Sequence, residues 1–309
     1  MKRLHIDFET RSAADLRVVG LANYAMHPTT DIWCMAWAFD DDPVQLLRRG
    51  EPLSPEVLAH VESGGEVWAH NVTFEHIIWN AVCHKRYGWP VLSYKQCYCT
   101  MAQCYAMGLP GSLENAAAAL RLPHQKDMGG HAVMLRMSRP RSIKNGVPVW
   151  WGDDDKLDRL YEYCKRDIEV EREVWRNTYA LSDAERAVWL ADFEINGRGF
   201  GVDLVSAAAA EKMCGVVVEA AGKRLAELTG GAVAAPTALP ALREWLASKG
   251  VVVDSLDKES IDLLLRREQP LDVREALAIR QESGKASVAK FAKMLEVSYN
   301  GDRKSTRLN

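Results

Sequence analysis

Residues 5–10 read "HIDFET", and the order of residue types in this short stretch decides the fold. In an extended strand side chains alternate between faces, so Asp7 and Glu9 share one face while Ile6 and Phe8 share the other. Two carboxylates this close repel each other unless a cation lies between them. An isolated Asp-x-Glu reads as a solvated strand end, so partners elsewhere in the chain must carry any functional reading.

The chain has 309 residues, enough for two domains, and 48% hydrophobic with 26% charged residues allows a sizeable core. A formal net charge of -3 carries no overall basic signature, so contact with nucleic acid has to come from local patches. No apolar run reaches the roughly eighteen residues of a membrane span and no signal peptide precedes the first strand, so neither a membrane partner nor export is expected. The expected location is the cytoplasm. Seven cysteines without a C-x-x-C predict reduced, buried thiols rather than a disulfide framework. "CYCTMAQC" (97–104) is followed by no paired ligand cluster, which argues against a metal clip.

The segments "KRLHIDFE", "DIWCMAWAFD", "PVQLLRRG", "PEVLAHVES", "GEVWAHN" and "TFEHIIWNAVCHKRYG" alternate strand-like and helix-like patterns, which predicts an α/β layer with a mixed sheet. "GSLENAAAALRLP" predicts a helix capped by Ser112 and stopped by Pro123. Residues 124–155, rich in Gly, Pro, Arg and Trp, read as a long loop. Its Arg136, Arg139, Arg141 and Lys144 are either phosphate contacts or a solvated basic run. "DDDKLDRLYEYCKRDIEVEREVW" (153–175) predicts a helix whose packed face carries Leu157, Leu160, Cys164, Ile168 and Trp175. From about Ser182 the pattern turns helical and alanine-rich, with breaks at "INGRGFGVD", "GGAVAAPTALP" and "SKGVVVDS", so a domain boundary is expected near residues 178–184.

Two further acidic patterns follow the first. In "HNVTFEH" (70–76) Asn71 suits a helix N-cap and Glu75 suits the positive end of the helix dipole. In "YEYCKRD" (161–167) Tyr163 and Asp167 stand one turn apart on a helix face. Each alone has a purely structural explanation.

In this order, Asp-x-Glu on a first strand, Asn-x3-acid at a helix start and Tyr-x3-Asp on a later helix, the patterns resemble the proofreading 3′–5′ exonucleases of the DnaQ-like superfamily, in the subgroup that uses tyrosine. The resemblance covers residues 1–178. Wider stretches, "DFETRS", "HNVTFEHIIW", "GLPGSLENAAAAL" and "YCKRDIEVER", look like the exonuclease region of phage-encoded family A DNA polymerases. "ERAVWLADFEINGRGFGVDLVSAAAA", "ALREWLASKGVVVDSLDKESIDLLL" and "REALAIRQESGKASVAKFAKML" resemble the link to their thumb and its helical start.

The resemblance implies an α/β, ribonuclease H-like mixed sheet with flanking helices over residues 1–180 and a mainly helical partial thumb over 181–301. The palm and fingers would be partners lying outside these residues, so DNA synthesis by this chain is not expected, and a phage gene would place it in the bacterial host cytoplasm. The last eight residues, "DRKSTRLN" (302–309), match the translation of a sequencing-library adapter and are expected to be foreign.

The resemblance also implies the site. Asp7, Glu9, Glu75 and Asp167 would hold two ions, Mg²⁺ or Mn²⁺, roughly 4 Å apart. Asp7 would bridge them, Glu9 and Asp167 would hold the nucleophile-side ion, and Glu75 would act through water on the other. Tyr163 would orient the attacking water, and Asn71 and Phe74 would contact the DNA, a single-stranded 3′ end or a primer-template. The family usually has aspartate where this chain has Glu75, which puts the second ion's geometry in question. Glu162 occupies the position of the histidine used by the other subgroup, and His70 and His76 are expected to pack or meet solvent. Two alternatives are a DNA-binding module of a truncated polymerase with weak or lost nuclease activity, and an RNA-trimming enzyme of the same superfamily.

Overall fold

In the computed structural model, which describes residues 2–123, 128–283, 289–299 and 302–303, β1 (Arg3–Arg11) keeps the alternation that its sequence predicts. Leu4, Ile6 and Phe8 are buried on one face, in a cluster with Ile78, Trp79, Val82 and Trp89. Asp7 and Glu9 belong to the other face.

β1 is the centre of a five-stranded sheet. On one side it pairs antiparallel with β2 (Asp31–Phe39), which pairs antiparallel with β3 (Gln45–Arg48). After α1 (Leu16–Met26) and α2 (Pro55–Glu62), β4 (Glu66–Ala69) joins the other side of β1 in parallel, and β5 (Cys97–Cys99) extends the sheet in parallel again. The strand order β3-β2-β1-β4-β5 with helices on both faces is the α/β, ribonuclease H-like mixed sheet expected for this part. The β1–β2 register shifts between Glu9 and Thr10, a bulge at the acidic end of the central strand.

α3 (Thr73–Ile78) runs through a π-helical segment, Trp79–His84, into α4 (Lys85–Tyr87), so "TFEHIIWNAVCHKRY" is helical throughout. Its cap differs from expectation. Val72 is the N-cap, and Asn71 stands one residue earlier with φ 66°, where its carbonyl accepts from the Phe74 amide at 3.0 Å. Asparagine serves both roles because its short polar side chain tolerates the left-handed region.

α5 (Thr100–Ala106) and α6 (Leu113–Ala119) follow, and the Ser112 hydroxyl accepts from the Asn115 amide at 3.3 Å, as a cap should. The long loop expected over 124–155 is corrected. It contains α7 (Met128–Met137) and a hairpin of β6 (Ser142–Lys144) and β7 (Val147–Val149), turning at Asn145–Gly146 with φ of 50° and 77°. Asn-Gly supports the positive φ values of a tight hairpin turn, and the helix is held by packing of Met137 with Trp33 and Leu160.

α8 (Asp154–Arg176) crosses the acidic face of the sheet, and its Cys164 and Ile168 pack on Cys34, Ala36 and Ala38 of β2. α9 (Asp183–Arg198) begins with a capping box at Ser182 and Glu185 and returns Phe193 to the main core. The first compact unit therefore runs through β8 (Phe200–Gly201), not to the boundary expected near 178–184.

The second unit, Val202–Glu296, is helical: α10 (Leu204–Leu228), α11 (Leu239–Ser248), α12 (Lys258–Leu265), α13 (Leu271–Ser283) and α14 (Ala289–Val297). Its own core gathers Leu225, Leu242, Leu246, Ile261, Val273 and Leu277, and Arg224 grips Glu275 with two bonds of 2.6 and 3.0 Å. Two-residue strands β9 (Ser298–Tyr299) and β10 (Asp302–Arg303) pair with each other, and β10 pairs with β8. Of the expected foreign octapeptide, residues 304–309 lie outside the described residues. No helix among the described residues is long and apolar enough to cross a membrane.

Ile6 is 1% exposed on the face opposite the acids, so Ile6→Ala leaves a void in the main core. The expected loss is about 2–5 kcal/mol in urea unfolding of the first unit; a loss under about 1 kcal/mol would contradict the packing.

Candidate active site

Three segments supply acids to one place. β1 presents Asp7 and Glu9, the first turn of α3 presents Glu75, and the middle of α8 presents Tyr163 and Asp167. The small side chains of Cys34, Ala36 and Ala38 let α8 approach the sheet closely. Cys164 Sγ then reaches within 3.4 Å of Asp7 Oδ2 and 3.5 Å of the Asp7 carbonyl. Among the described residues, Asp7, Glu9 and Cys164 offer ligand atoms within 4.8 Å of one another. Glu75 and Asp167 stand outside this tight trio.

They remain within electrostatic reach of it. Burial pushes the Glu75 carboxyl well above the usual carboxylate range, and the negative charge of Asp7 pushes it further. Glu75 is 4% exposed, and its Oε2 has no hydrogen-bond partner among the described residues. The Tyr163 phenol is likewise raised, first by burial and then by Asp167, Glu9 and Asp7. One hydroxyl thus senses three carboxylates from two elements. The donors are hard carboxylate oxygens around a buried centre, which suits Mg²⁺ or Mn²⁺ better than a soft metal, and burial keeps the Cys164 thiol protonated.

The remaining expected residues take distinct positions. Phe74 is partly buried against the main core, and Asn71 lines a mainly apolar cavity of about 890 Å³ that also touches Leu21, Ile77, Met101, Trp189 and Phe193. His70 bonds to Thr100 Oγ1 at 3.0 Å and to the Gly111 carbonyl at 2.8 Å, a packing role. His76 packs its ring against Tyr94 and Phe193 at 4.3 and 5.1 Å.

Two neighbours escape the sequence reading. His5, two residues before Asp7 on the same face, meets Glu171, one turn after Asp167, with Nδ1 and Oε2 2.6 Å apart. Both are buried, and the rings of Trp68 and Trp175 lie 6.3 and 5.7 Å from His5. The i−2 strand spacing and the i+4 helix spacing are the signals that find this pair. Cys164, expected only to pack, is brought to Asp7 by its place beside Tyr163.

No family model matches the chain. The sequence is 35% identical over 309 residues to the DNA polymerase of Bacillus phage SP02, an alignment that takes in 95% of this chain and 46% of that protein. The chain is therefore homologous to part of a phage DNA polymerase and spans about half the length of this curated relative. Its fold is similar to that of the POL domain of Pol1 from M. smegmatis in complex with DNA primer-template and dNTP, with a TM-score of 0.54 at 12% identity, covering 99% of this chain and 48% of that one.

Burial holds the His76 imidazole down to about 4 from its ordinary 6.5, so the folded protein disfavours its protonation. Its contribution to stability is complete above pH 6.5 and is lost as the pH falls toward 4, by roughly 3 kcal/mol over that window. His76→Phe should flatten this acid limb in urea unfolding at a series of pH values. Parallel limbs for variant and parent would show that His76 does not carry it.

Proposed function

We propose that this chain carries a metal-dependent 3′–5′ exonuclease, the proofreading region of a family A DNA polymerase, which hydrolyses the terminal phosphodiester of a DNA 3′ end. The observation that supports it most is the gathering of acids from β1, α3 and α8 around the Tyr163 hydroxyl, at the positions the exonuclease resemblance implies. Homology to a phage DNA polymerase supports the parent protein and DNA as the polymer acted on.

Asp7, Glu9, Glu75 and Asp167 would hold two divalent cations, Mg²⁺ or Mn²⁺. When bound, such ions acidify water and neutralise charge on the transferring phosphoryl group. Burial and the charge of Asp7 push the Glu75 carboxyl well above the usual carboxylate range, and a bound cation would favour its ionised form. Tyr163 stands one helical turn before Asp167, so its hydroxyl orients the attacking water on the Asp167 side of the phosphate. Asn71 and Phe74, at the entry to α3, would contact the terminal nucleotide.

The test is release of nucleotides from the 3′ end of a labelled single-stranded oligonucleotide with Mg²⁺ and with EDTA. Asp7→Asn should abolish the Mg²⁺-dependent release while its far-ultraviolet circular dichroism stays that of the parent. Full activity in this variant would defeat the carboxylate site. No shortening by the parent itself would leave the alternative, a DNA-binding module without nuclease activity.

Tyr163→Phe should lower kcat on the order of 10²-fold with KM little changed, because the hydroxyl acts on the attacking water and not on the bound strand. Equal kcat at saturating Mg²⁺ would reduce Tyr163 to packing.

A further inference from the structure

Beyond the carboxylates, the surface built by α7, the β6–β7 hairpin and the start of α8 has no task in the proposed reaction. Trp151 lies there, half-buried with Val133, Met134 and Leu157 against the small cluster of Trp33, Met137 and Leu160. Three cations surround its ring. The Arg136 and Arg141 guanidinium carbons lie 5.8 and 5.5 Å from the ring centre, and the Lys156 ammonium lies 5.3 Å from it. They come from three different segments, so the fold brings like charges together at one aromatic side chain. Lys156 is offset by Asp153 at 2.7 Å, whereas Arg136 and Arg141 have no carboxylate within ion-pair distance among the described residues.

The neighbouring tryptophan is a useful contrast. Trp150 lies 4.7 Å from the Arg11 guanidinium carbon, which also has the Trp33 ring at 4.5 Å and whose charge is met by Asp31 at 3.4 Å. That group finds both its aromatic rings and its acid within the protein. The group around Trp151 has the same ingredients, an aromatic face and guanidinium groups, but its acid, Asp153, is paired with Lys156 and reaches Arg141 only through its field.

The position relative to the acids is set by two elements. On α7, five residues before Arg136, the His131 ring lies 6.5 Å from that of Tyr163. On α8, Lys156 precedes Tyr163 by seven residues, about 10 Å along the helix. A strand leaving the acidic site along α8 reaches Trp151 within a few nucleotides.

We propose that Trp151 with Arg136, Arg141 and Lys156 is a stacking site for single-stranded DNA, in which one base lies on the indole and the flanking phosphates meet the cations. Base–aromatic stacking combined with a cationic groove is the general chemistry of sequence-tolerant single-strand binding. The polarity assigned to the strand, 3′ end toward Tyr163, rests on the exonuclease reading. The binding itself rests on this surface.

The experiment measures fluorescence anisotropy of a labelled oligothymidylate with the full chain in EDTA, so that no hydrolysis enters the readout. Trp151→Ala should weaken binding by about fivefold to a hundredfold, with Trp151→Phe within about threefold of the parent. The double variant Arg136→Ala, Arg141→Ala, which changes two exposed side chains, should flatten the plot of log affinity against log salt by about 1.4. Unchanged affinity in a folded Trp151→Ala overturns the site. If that variant does not fold, an unchanged salt slope in the double arginine variant overturns it instead. Failure of the exonuclease reading appears separately, as a parent protein that binds the strand in EDTA but does not shorten it in Mg²⁺.

Discussion

The seating of α8 on the sheet is the contact from which the rest of the first unit follows. β2 offers it Cys34, Ala36 and Ala38, and the helix answers with Cys164 and Ile168, all buried. Small side chains on the strand bring the helix axis close, since interiors are packed to high density and each added methylene moves a neighbour. One face of α8 thereby delivers Leu160 to the Trp33–Met137 cluster, Tyr163 and Asp167 toward the β1 acids, and Glu171 to His5. A bulkier residue at Ala36, paired in register with Asp7, would lift the helix and separate these groups together.

That seating works against electrostatics. Asp7 and Glu9 are neighbours on one strand face, Glu75 is buried beside Asp7, and Tyr163 lies in the field of three carboxylates. Gathering like charges in a low-dielectric place costs stability, and the fold tolerates it because the opposite face of β1 is a dense aromatic core. There Phe8 lies 6.4 Å from Trp79 and 6.2 Å from Trp89, and those two rings lie 4.8 Å apart. Such separation of labour across one strand is how a protein keeps a destabilised site on a stable scaffold.

Much of this was legible in the sequence, and the limits have physical causes. The period of two in β1, the period near 3.6 in α8 and the Ser112 cap are local signals, and they predict elements that the structure contains. α7 was invisible because "MGGHAVMLRM" holds two glycines, which oppose helix formation, and its stability comes from packing on distant residues. Asn71 takes a left-handed turn rather than the expected cap because the same side chain suits both, and only the backbone separates them. The first unit extends past the expected boundary because its anchor, Phe193, reaches a core formed from residues far earlier in the chain. Cys164 meets Asp7 across 157 positions, a contact that no window of sequence contains.

The cysteines carry a further consequence for how this protein opens. Six of the seven are buried and distributed among separate layers: Cys83, Cys97 and Cys99 in the main core, Cys104 in the cluster under α6, and Cys34 with Cys164 beneath α8. Burial raises the thiols of Cys83, Cys97, Cys104 and Cys164, so almost no thiolate exists in the closed state and reagents cannot approach it. Alkylation at each position is then limited by the opening of its own layer. The native thiols form a set of clocks, one to three per layer, that records the order in which the layers of this unit come apart.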